Sequence, residues 1–169
     1  MNSFSAYQQQ IEKALAAGNA TEHTHRPALK TLIESLASGV MATNEPKRVQ
    51  CGAPDFIVTR GSVPLGYVEA KDVGKSLDEA EASDQLKRYR ASLGNLVLTD
   101  YLEFRWYVGG KHRLTARLAG RVGAKGKLKA EKDGSLLIEL CGFYIAPLTP
   151  VSLTIQVSQG DSSDNRSKE

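Results

Sequence analysis

The chain has 169 residues, of which 41% are hydrophobic and 24% charged, a composition typical of one globular domain with a buried core. No apolar stretch approaches the ~20 residues that cross a bilayer, and the N-terminus lacks the basic-then-apolar order of a secretion signal, so a cytoplasmic protein is expected. The net charge of +3 is too small to indicate a polyanionic partner by itself.

Two amphipathic helices are predicted first. Residues 3–18 carry Phe4, Ile11 and Leu15 at helical spacing before a glycine. The second helix is expected to open near Pro27 and to close at Gly39. The polar segment between the helices, residues 21–26, is expected to be a loop.

A β-hairpin is predicted next, after a loop rich in turn-forming residues. Its strands are residues 56–58 and 65–71, joined by a turn at 60–64. If Asp55 lies opposite Glu69, their Cβ atoms are ~5 Å apart. A register slip of one residue would instead send one of the two side chains to the other face.

The following segments predict one helix and several strands. A Ser76-x-x-Glu79 capping signal opens a helix that runs to about residue 92 and buries Ala82, Leu86 and Tyr89. Residues 96–99 and 104–108 are predicted strands, and the basic segment after them is expected to begin as another. Residues 136–145 are apolar enough for a buried helix or strand.

The tripeptide Glu69-Ala70-Lys71 is the strongest indication of chemistry. Alternation along a strand points Glu69 and Lys71 the same way, with Asp55 on the preceding strand. Mg²⁺ prefers one or two carboxylates plus waters and substrate phosphate, and the Ala70 carbonyl adds an oxygen. Lys71 would orient the attacking water or stabilise the phosphate. The alternative is a hairpin whose surface salt bridge contributes at most ~1 kcal/mol.

Three further residues extend this candidate site. Gln85 and Tyr89 are four residues apart and therefore share a helix face directly after the strand that carries Lys71. Glu22 would enter the site from the other side. The alternatives are a core tyrosine beside a solvated glutamine, and an exposed loop carboxylate.

The basic stretch has two interpretations. No acidic residue interrupts the run of positive charges, which suits phosphate backbones because each neutralised phosphate releases counterions. A solvated basic face explains it nearly as well. The run comprises Lys111, Arg113, Arg117, Arg121, Lys125, Lys127 and Lys129.

The two cysteines, Cys51 and Cys141, are expected to be reduced thiols without a catalytic role.

Six segments taken together resemble a known family. They are TEHTHRPAL at 21–29, NEPKR at 44–48, CGAPD at 51–55, GYVEAK at 66–71, QLKRY at 85–89 and LTDYLEFRWY at 98–107. This set resembles the N-terminal nuclease domain of single-chain restriction-modification enzymes, which couple nuclease, helicase and methyltransferase. That domain belongs to the PD-(D/E)xK superfamily.

The resemblance implies an α/β fold with a mixed central sheet flanked by helices. It implies that Asp55, Glu69 and Glu22 bind Mg²⁺, that Lys71 is catalytic, and that Gln85 and Tyr89 form the QxxxY element of RecB-like nucleases. Mn²⁺ is expected to substitute for Mg²⁺.

A nuclease domain is accordingly expected over residues 1–150, with the match strongest over 20–130, followed by a polar tail at 151–169. The expected function is a DNA endonuclease of low intrinsic specificity that acts on double-stranded DNA. Helicase and methyltransferase modules are possible partners. Two alternatives stay open: a DNA-binding or docking remnant that has lost cleavage, and a stand-alone exonuclease.

Overall fold

The computed structural model describes residues 3–122 and 127–130 of the chain. In chain order the elements are α1 (Ser3–Ala16), α2 (Glu22–Ser35), β1 (Val40–Asn44), β2 (Phe56–Arg60), β3 (Val63–Ala70), α3 (Leu77–Ala82), α4 (Asp84–Ser92), β4 (Asn95–Thr99), β5 (Glu103–Val108), β6 (Lys111–Arg117), β7 (Ala119–Val122) and β8 (Lys127–Ala130).

The first six strands form one mixed sheet in the order β1-β2-β3-β4-β5-β6, and β7 and β8 pair separately. Its neighbouring strands are antiparallel except β3 and β4, which are parallel. Parallel neighbours need a crossover connection, and α3 and α4 supply it. The predicted mixed sheet is therefore confirmed.

Helices cover both faces of this sheet, as predicted. On one face α1 and α2 bury Ile11 and Leu29 against Val58 and Val68. On the other face α3 and α4 pack around a second cluster that contains Leu77, Leu86, Tyr89, Leu93, Leu96, Leu98 and Tyr107. Every residue of β4 is buried, as expected for a strand between two helical layers.

The start of α2 differs from the prediction. The helix begins at Glu22, so Pro27 lies inside it rather than at its opening. The Thr21 N–H donates to Thr24 Oγ1 over 3.0 Å, a local bond that favours an earlier start. Pro27 removes one backbone donor from the second turn, which the helix tolerates because its buried face continues through Leu29 and Leu32. The predicted loop at 21–26 was wrong.

Two other elements also differ. Val40–Asn44 forms an edge strand where a loop was expected. Only Val40 and Ala42 are buried, so the segment shows little alternation of apolar and polar residues that would indicate a strand. The single helix predicted to follow residue 76 is two helices, broken at Ser83, where the backbone is extended. Ser83 Oγ accepts a bond from the Leu86 N–H and caps α4. Ala82, predicted to be buried, is exposed as a result.

Within the described ranges, no helix is long and apolar enough to cross a membrane. The predictions for 136–145, for Cys141 and for the tail at 151–169 lie outside the described residues.

Candidate active site

The ends of β2 and β3 bring Asp55 and Glu69 together. Phe56 pairs with Val68, so the antiparallel register continues to Asp55 opposite Glu69. The Ala70 N–H donates to Asp55 Oδ2 over 2.8 Å. This bond fixes the Asp55 carboxylate at the end of β3, as the predicted hairpin register requires.

Lys71 lies beside Glu69, just beyond the end of β3. Its Nζ donates to Glu69 Oε1 over 2.7 Å, and its backbone N–H donates to the Thr99 carbonyl over 2.8 Å. The backbone bond continues the parallel pairing of β3 with β4. The two side chains thus share one face, and the ammonium is anchored at the carboxylate.

Glu69 occupies an environment that opposes its ionisation. It is 3% exposed, and its Oε2 is buried without a hydrogen-bond partner in the structure. Burial, followed by the negative charge of Asp55, raises the pKa of Glu69 from 4.5 to about 7, although Lys71 acts in the opposite direction. Burial also raises the pKa of Asp55, against the Ala70 N–H and Arg26. Two carboxylates that resist ionisation share one site, which suits a bound cation.

This environment predicts a pH-dependent stability. Between pH 4.5 and about 7 the unfolded chain ionises Glu69 while the folded chain keeps its proton, so the free energy of unfolding falls as pH rises. The raised pKa of Glu69 corresponds to a loss of roughly 2–3 kcal/mol in the free energy of unfolding between pH 5 and pH 8. Glu69→Gln should remove that fall. Urea unfolding at pH 5 and pH 8 measures it.

Glu79→Gln is the matched control, because Glu79 is an exposed carboxylate in the first turn of α3. This variant should keep the pH dependence of the wild type. An equal loss of stability from pH 5 to pH 8 in wild type and Glu69→Gln would show that Glu69 titrates alike in both states.

Arg26, which the sequence analysis did not assign to the site, lies at its centre. Its Nη2 donates to Glu22 Oε1 over 2.7 Å and also to Asp55 Oδ1, and its Nη1 donates to Glu45 Oε1 over 2.9 Å. The Arg26 side chain is only 7% exposed. A sequence signal exists, since Glu22 and Arg26 are spaced i, i+4 as helical ion pairs are. This spacing was not interpreted as a helical ion pair because residues 21–26 were assigned to a loop.

Tyr101 is a second residue that the sequence analysis missed. Its hydroxyl donates to the Glu22 carbonyl over 2.8 Å, and its own carbonyl accepts from the Tyr7 hydroxyl over 2.8 Å. Tyr101 is fully buried. These bonds tie the start of α2 to the β4–β5 turn and hold the Glu22 carboxylate near Asp55.

Gln85 and Tyr89 contact each other but not the acidic residues. Gln85 Nε2 donates to the Tyr89 hydroxyl over 3.3 Å, which agrees with the predicted shared helix face. Among the described residues neither forms a hydrogen bond to Asp55, Glu69 or Lys71. The Tyr89 ring instead packs against Gly52, where an added Cβ would lie 2.8 Å from Tyr89 Cε1.

Gly52→Ala is therefore expected to destabilise the fold by roughly 2–4 kcal/mol. Its φ of +145° disfavours any L side chain, and the new methyl group would collide with Tyr89. The midpoint of urea unfolding measures the effect. Gly18→Ala is the control, because Gly18 has a φ of +74° with open space around it, so its cost should be only about 1 kcal/mol. Equal costs for the two variants would contradict the predicted collision.

The donor set fits a small divalent cation with two protein carboxylates. Glu69 Oε2 is an unpaired buried acceptor, and each Asp55 oxygen keeps a free lone pair beside its present bond. In the described part of the chain no three His, Cys, Asp or Glu side chains cluster as a metal site. Mg²⁺ does not require three, since waters complete its shell. The hydrogen bond that Ala70 forms here is from its N–H to Asp55. Its carbonyl as a metal ligand stays a prediction.

The basic stretch is partly neutralised by a neighbouring strand. Arg117 Nη2 forms an ion pair with Glu103 of β5, an acidic partner that the local sequence does not reveal. Lys111 and Arg113 are exposed on β6, and Lys129 is exposed on β8. Cys51 is a free thiol, as predicted.

No protein family model and no curated protein matches the chain by sequence. Solved structures do match. One is a chain in a cryo-electron microscopy structure of a DrdV–DNA complex, with a TM-score of 0.67 and 21% sequence identity. The alignment covers 88% of this chain and 14% of that one, so this chain spans about a seventh of its structural neighbour. The likeness is one of fold: a mixed sheet flanked by helices, shared with a protein that was solved bound to DNA.

Proposed function

We propose that the chain is a Mg²⁺-dependent DNA endonuclease domain of the PD-(D/E)xK superfamily, with little sequence specificity of its own. Mn²⁺ would substitute for Mg²⁺. The domain would act in the cytoplasm as part of, or as a derivative of, a restriction-modification enzyme. Helicase and methyltransferase modules of such an enzyme would direct it.

One observation carries this proposal: Asp55 and Glu69 lie side by side with Lys71 at the end of two paired strands. Glu69 is buried, its Oε2 lacks a partner, and its pKa is raised to about 7. Burial disfavours ionisation of both carboxylates, and a bound cation would offset that cost. The arrangement supports a cation site that adjoins a fixed ammonium.

Each residue would have a distinct part in phosphodiester hydrolysis. Asp55 and Glu69 would hold the ion, with the Ala70 carbonyl as a further oxygen. The Glu22 carboxylate, which is paired with Arg26, would become a third acidic ligand by leaving that pair. Bound Mg²⁺ lowers the pKa of water and stabilises charge on a phosphate. Lys71 Nζ, held 2.7 Å from Glu69 Oε1, would place positive charge where negative charge develops on the scissile phosphate.

Exposed cations would provide the contacts to double-stranded DNA. Lys111, Arg113 and Lys129 lie on strands, and Lys87 and Arg88 lie on α4. Contacts of this kind position a protein on the phosphate backbone without reading sequence. The match to a chain solved in complex with DNA supports the same partner.

A second candidate is a DNA-binding module that no longer cleaves. The observation that favours it is Arg26, whose guanidinium bonds both Asp55 and Glu22. These carboxylates are thereby partly neutralised without a metal ion. Such a module would bind DNA and leave it intact.

Supercoiled plasmid with Mg²⁺, Mn²⁺ or EDTA tests the proposal. We expect nicked and linear products with either metal and none with EDTA. Binding without any product, at every protein concentration, would instead establish the second candidate. A comparison of an end-labelled linear fragment with closed circular DNA distinguishes an exonuclease from an endonuclease, because an exonuclease would shorten only the linear DNA.

A further inference from the structure

A cavity of about 550 Å³ borders β3, the strand that carries Glu69. It lies between residues 49–51, Tyr67 of β3 and the C-terminal half of α4. Its volume falls within the range of small-ligand sites. It is lined by Val49, Gln50, Tyr67, Arg88, Ser92 and Leu93, together with the Cys51 thiol.

Tyr67 connects this cavity to the acidic residues. Tyr67 and Glu69 are two residues apart on β3, so their side chains share one face of the sheet with Cα atoms about 7 Å apart. A ligand in the cavity would therefore be a direct neighbour of a phosphate held at Glu69 and Lys71.

The lining suits a planar apolar group that carries a negative charge. Arg88 is its one charged member, and no carboxylate lines it. Within the described part of the chain, the structure gives Arg88 no ion pair or hydrogen bond, whereas neighbouring Lys87 lies 3.8 Å from Asp84. The Tyr67 ring and the Leu93 side chain provide apolar surface, and Gln50 and Ser92 provide polar groups.

The wall opposite β3 is held in place before any ligand arrives. Val49 and Gly52 exchange two backbone hydrogen bonds, of 2.8 and 3.0 Å. Gly52 packs on the Tyr89 ring, and Gln85 holds the Tyr89 hydroxyl. Gln85 and Tyr89 thus act as positioning residues for this wall, which explains their location without contact to the acidic residues.

We propose that the cavity binds one unpaired nucleotide next to the scissile phosphate, with the base against Tyr67 and the nucleotide's phosphate at Arg88. This inference rests on the proposed nuclease function. A base within a duplex reaches such a pocket only by leaving its stack. The preferred substrate is therefore DNA with unpaired bases at the cleavage site, such as a frayed end or a single strand.

Binding of short single strands in EDTA tests the proposal without cleavage. The probes are a fluorescent oligothymidylate of about eight nucleotides and an abasic strand with the same phosphates. The full-length wild type should bind the thymidylate strand about tenfold more tightly, because the base adds a stacking contact. Alkylation of Cys51, followed by mass spectrometry, should be slowed by the thymidylate strand and not by the abasic one. Equal affinity for both strands, or unprotected Cys51, would overturn the proposal.

Variants test the proposed contacts of the base with Tyr67 and of the phosphate with Arg88. Tyr67→Leu should remove the preference for thymidylate, while Tyr67→Phe keeps it. Arg88→Gln should weaken binding of both strands about fivefold. Lys13→Gln, which removes an exposed cation of α1 outside the cavity, should change binding less than about twofold. Persistence of the base preference in a folded Tyr67→Leu protein would contradict the assignment. A protein that shows this preference but cuts no DNA with Mg²⁺ would refute the nuclease function alone.

Discussion

Replacement of Lys71 by alanine is expected to lower Mg²⁺-dependent nicking of supercoiled DNA by about 10²–10³-fold. The ammonium is 22% exposed and fixed at Glu69 Oε1, where it would face charge that develops in the transition state. Asp55→Ala should abolish nicking as well, because it removes a proposed metal ligand. Both effects are measured as initial rates of conversion to open circles.

Lys75→Ala is the matched control for the Lys71 variant. Lys75 is exposed in the loop that follows Lys71, and its substitution should leave the nicking rate within about twofold of wild type. Circular dichroism should show that all three variants keep the fold. Full activity in both Lys71→Ala and Asp55→Ala would refute the proposed site.

Arg26→Gln is expected to destabilise the metal-free protein by about 3–5 kcal/mol. The substitution removes the cation that pairs with Glu22, Glu45 and Asp55, and it leaves the Asp55 and Glu22 carboxylates close together without compensation. Equilibrium unfolding in urea, with EDTA present, measures the loss.

Lys87→Gln is a suitable control, because the pair of Lys87 with Asp84 is exposed and its removal should cost less than about 1 kcal/mol. Mg²⁺ should raise the unfolding midpoint of Arg26→Gln more than that of wild type, since the ion replaces the missing positive charge. A stability loss below about 1 kcal/mol in Arg26→Gln would contradict the role of Arg26 as the counter-ion of this cluster.

The hairpin and the shared face of Glu69 and Lys71 were predictable because short-range rules govern them, whereas the pairing of Asp55 also depends on a bulge in β2. Strand alternation places Glu69 and Lys71 on one face. The turn pairs Arg60 with Val63, and a β-bulge at Val58/Thr59 then shifts the register by one residue, so that Asp55 lies opposite Glu69. The same local rules predicted α1, β4 and β5. Their apolar periodicity is strong, and their ends carry recognisable turn residues.

Other features depend on distant contacts and could not be predicted in this way. Arg26 bonds Asp55, which lies 29 residues away, and Tyr101 bonds the carbonyl of Glu22, 79 residues away. β1 buries only two side chains and owes its form to pairing with β2. The break at Ser83 has a local cause, since this serine caps α4. It was not predicted because one serine is a weak signal within a long run of helix-forming residues.

The bond from Tyr7 to the Tyr101 carbonyl sets a lower limit on the size of an active fragment. Trimming to residue 20 would retain every proposed catalytic side chain. It would also expose the apolar side of α2 and remove the support on which the Tyr101–Glu22 contact rests. A designed fusion that borrows this domain must therefore include α1, and a targeting module attached at the N-terminal end should join before Ser3.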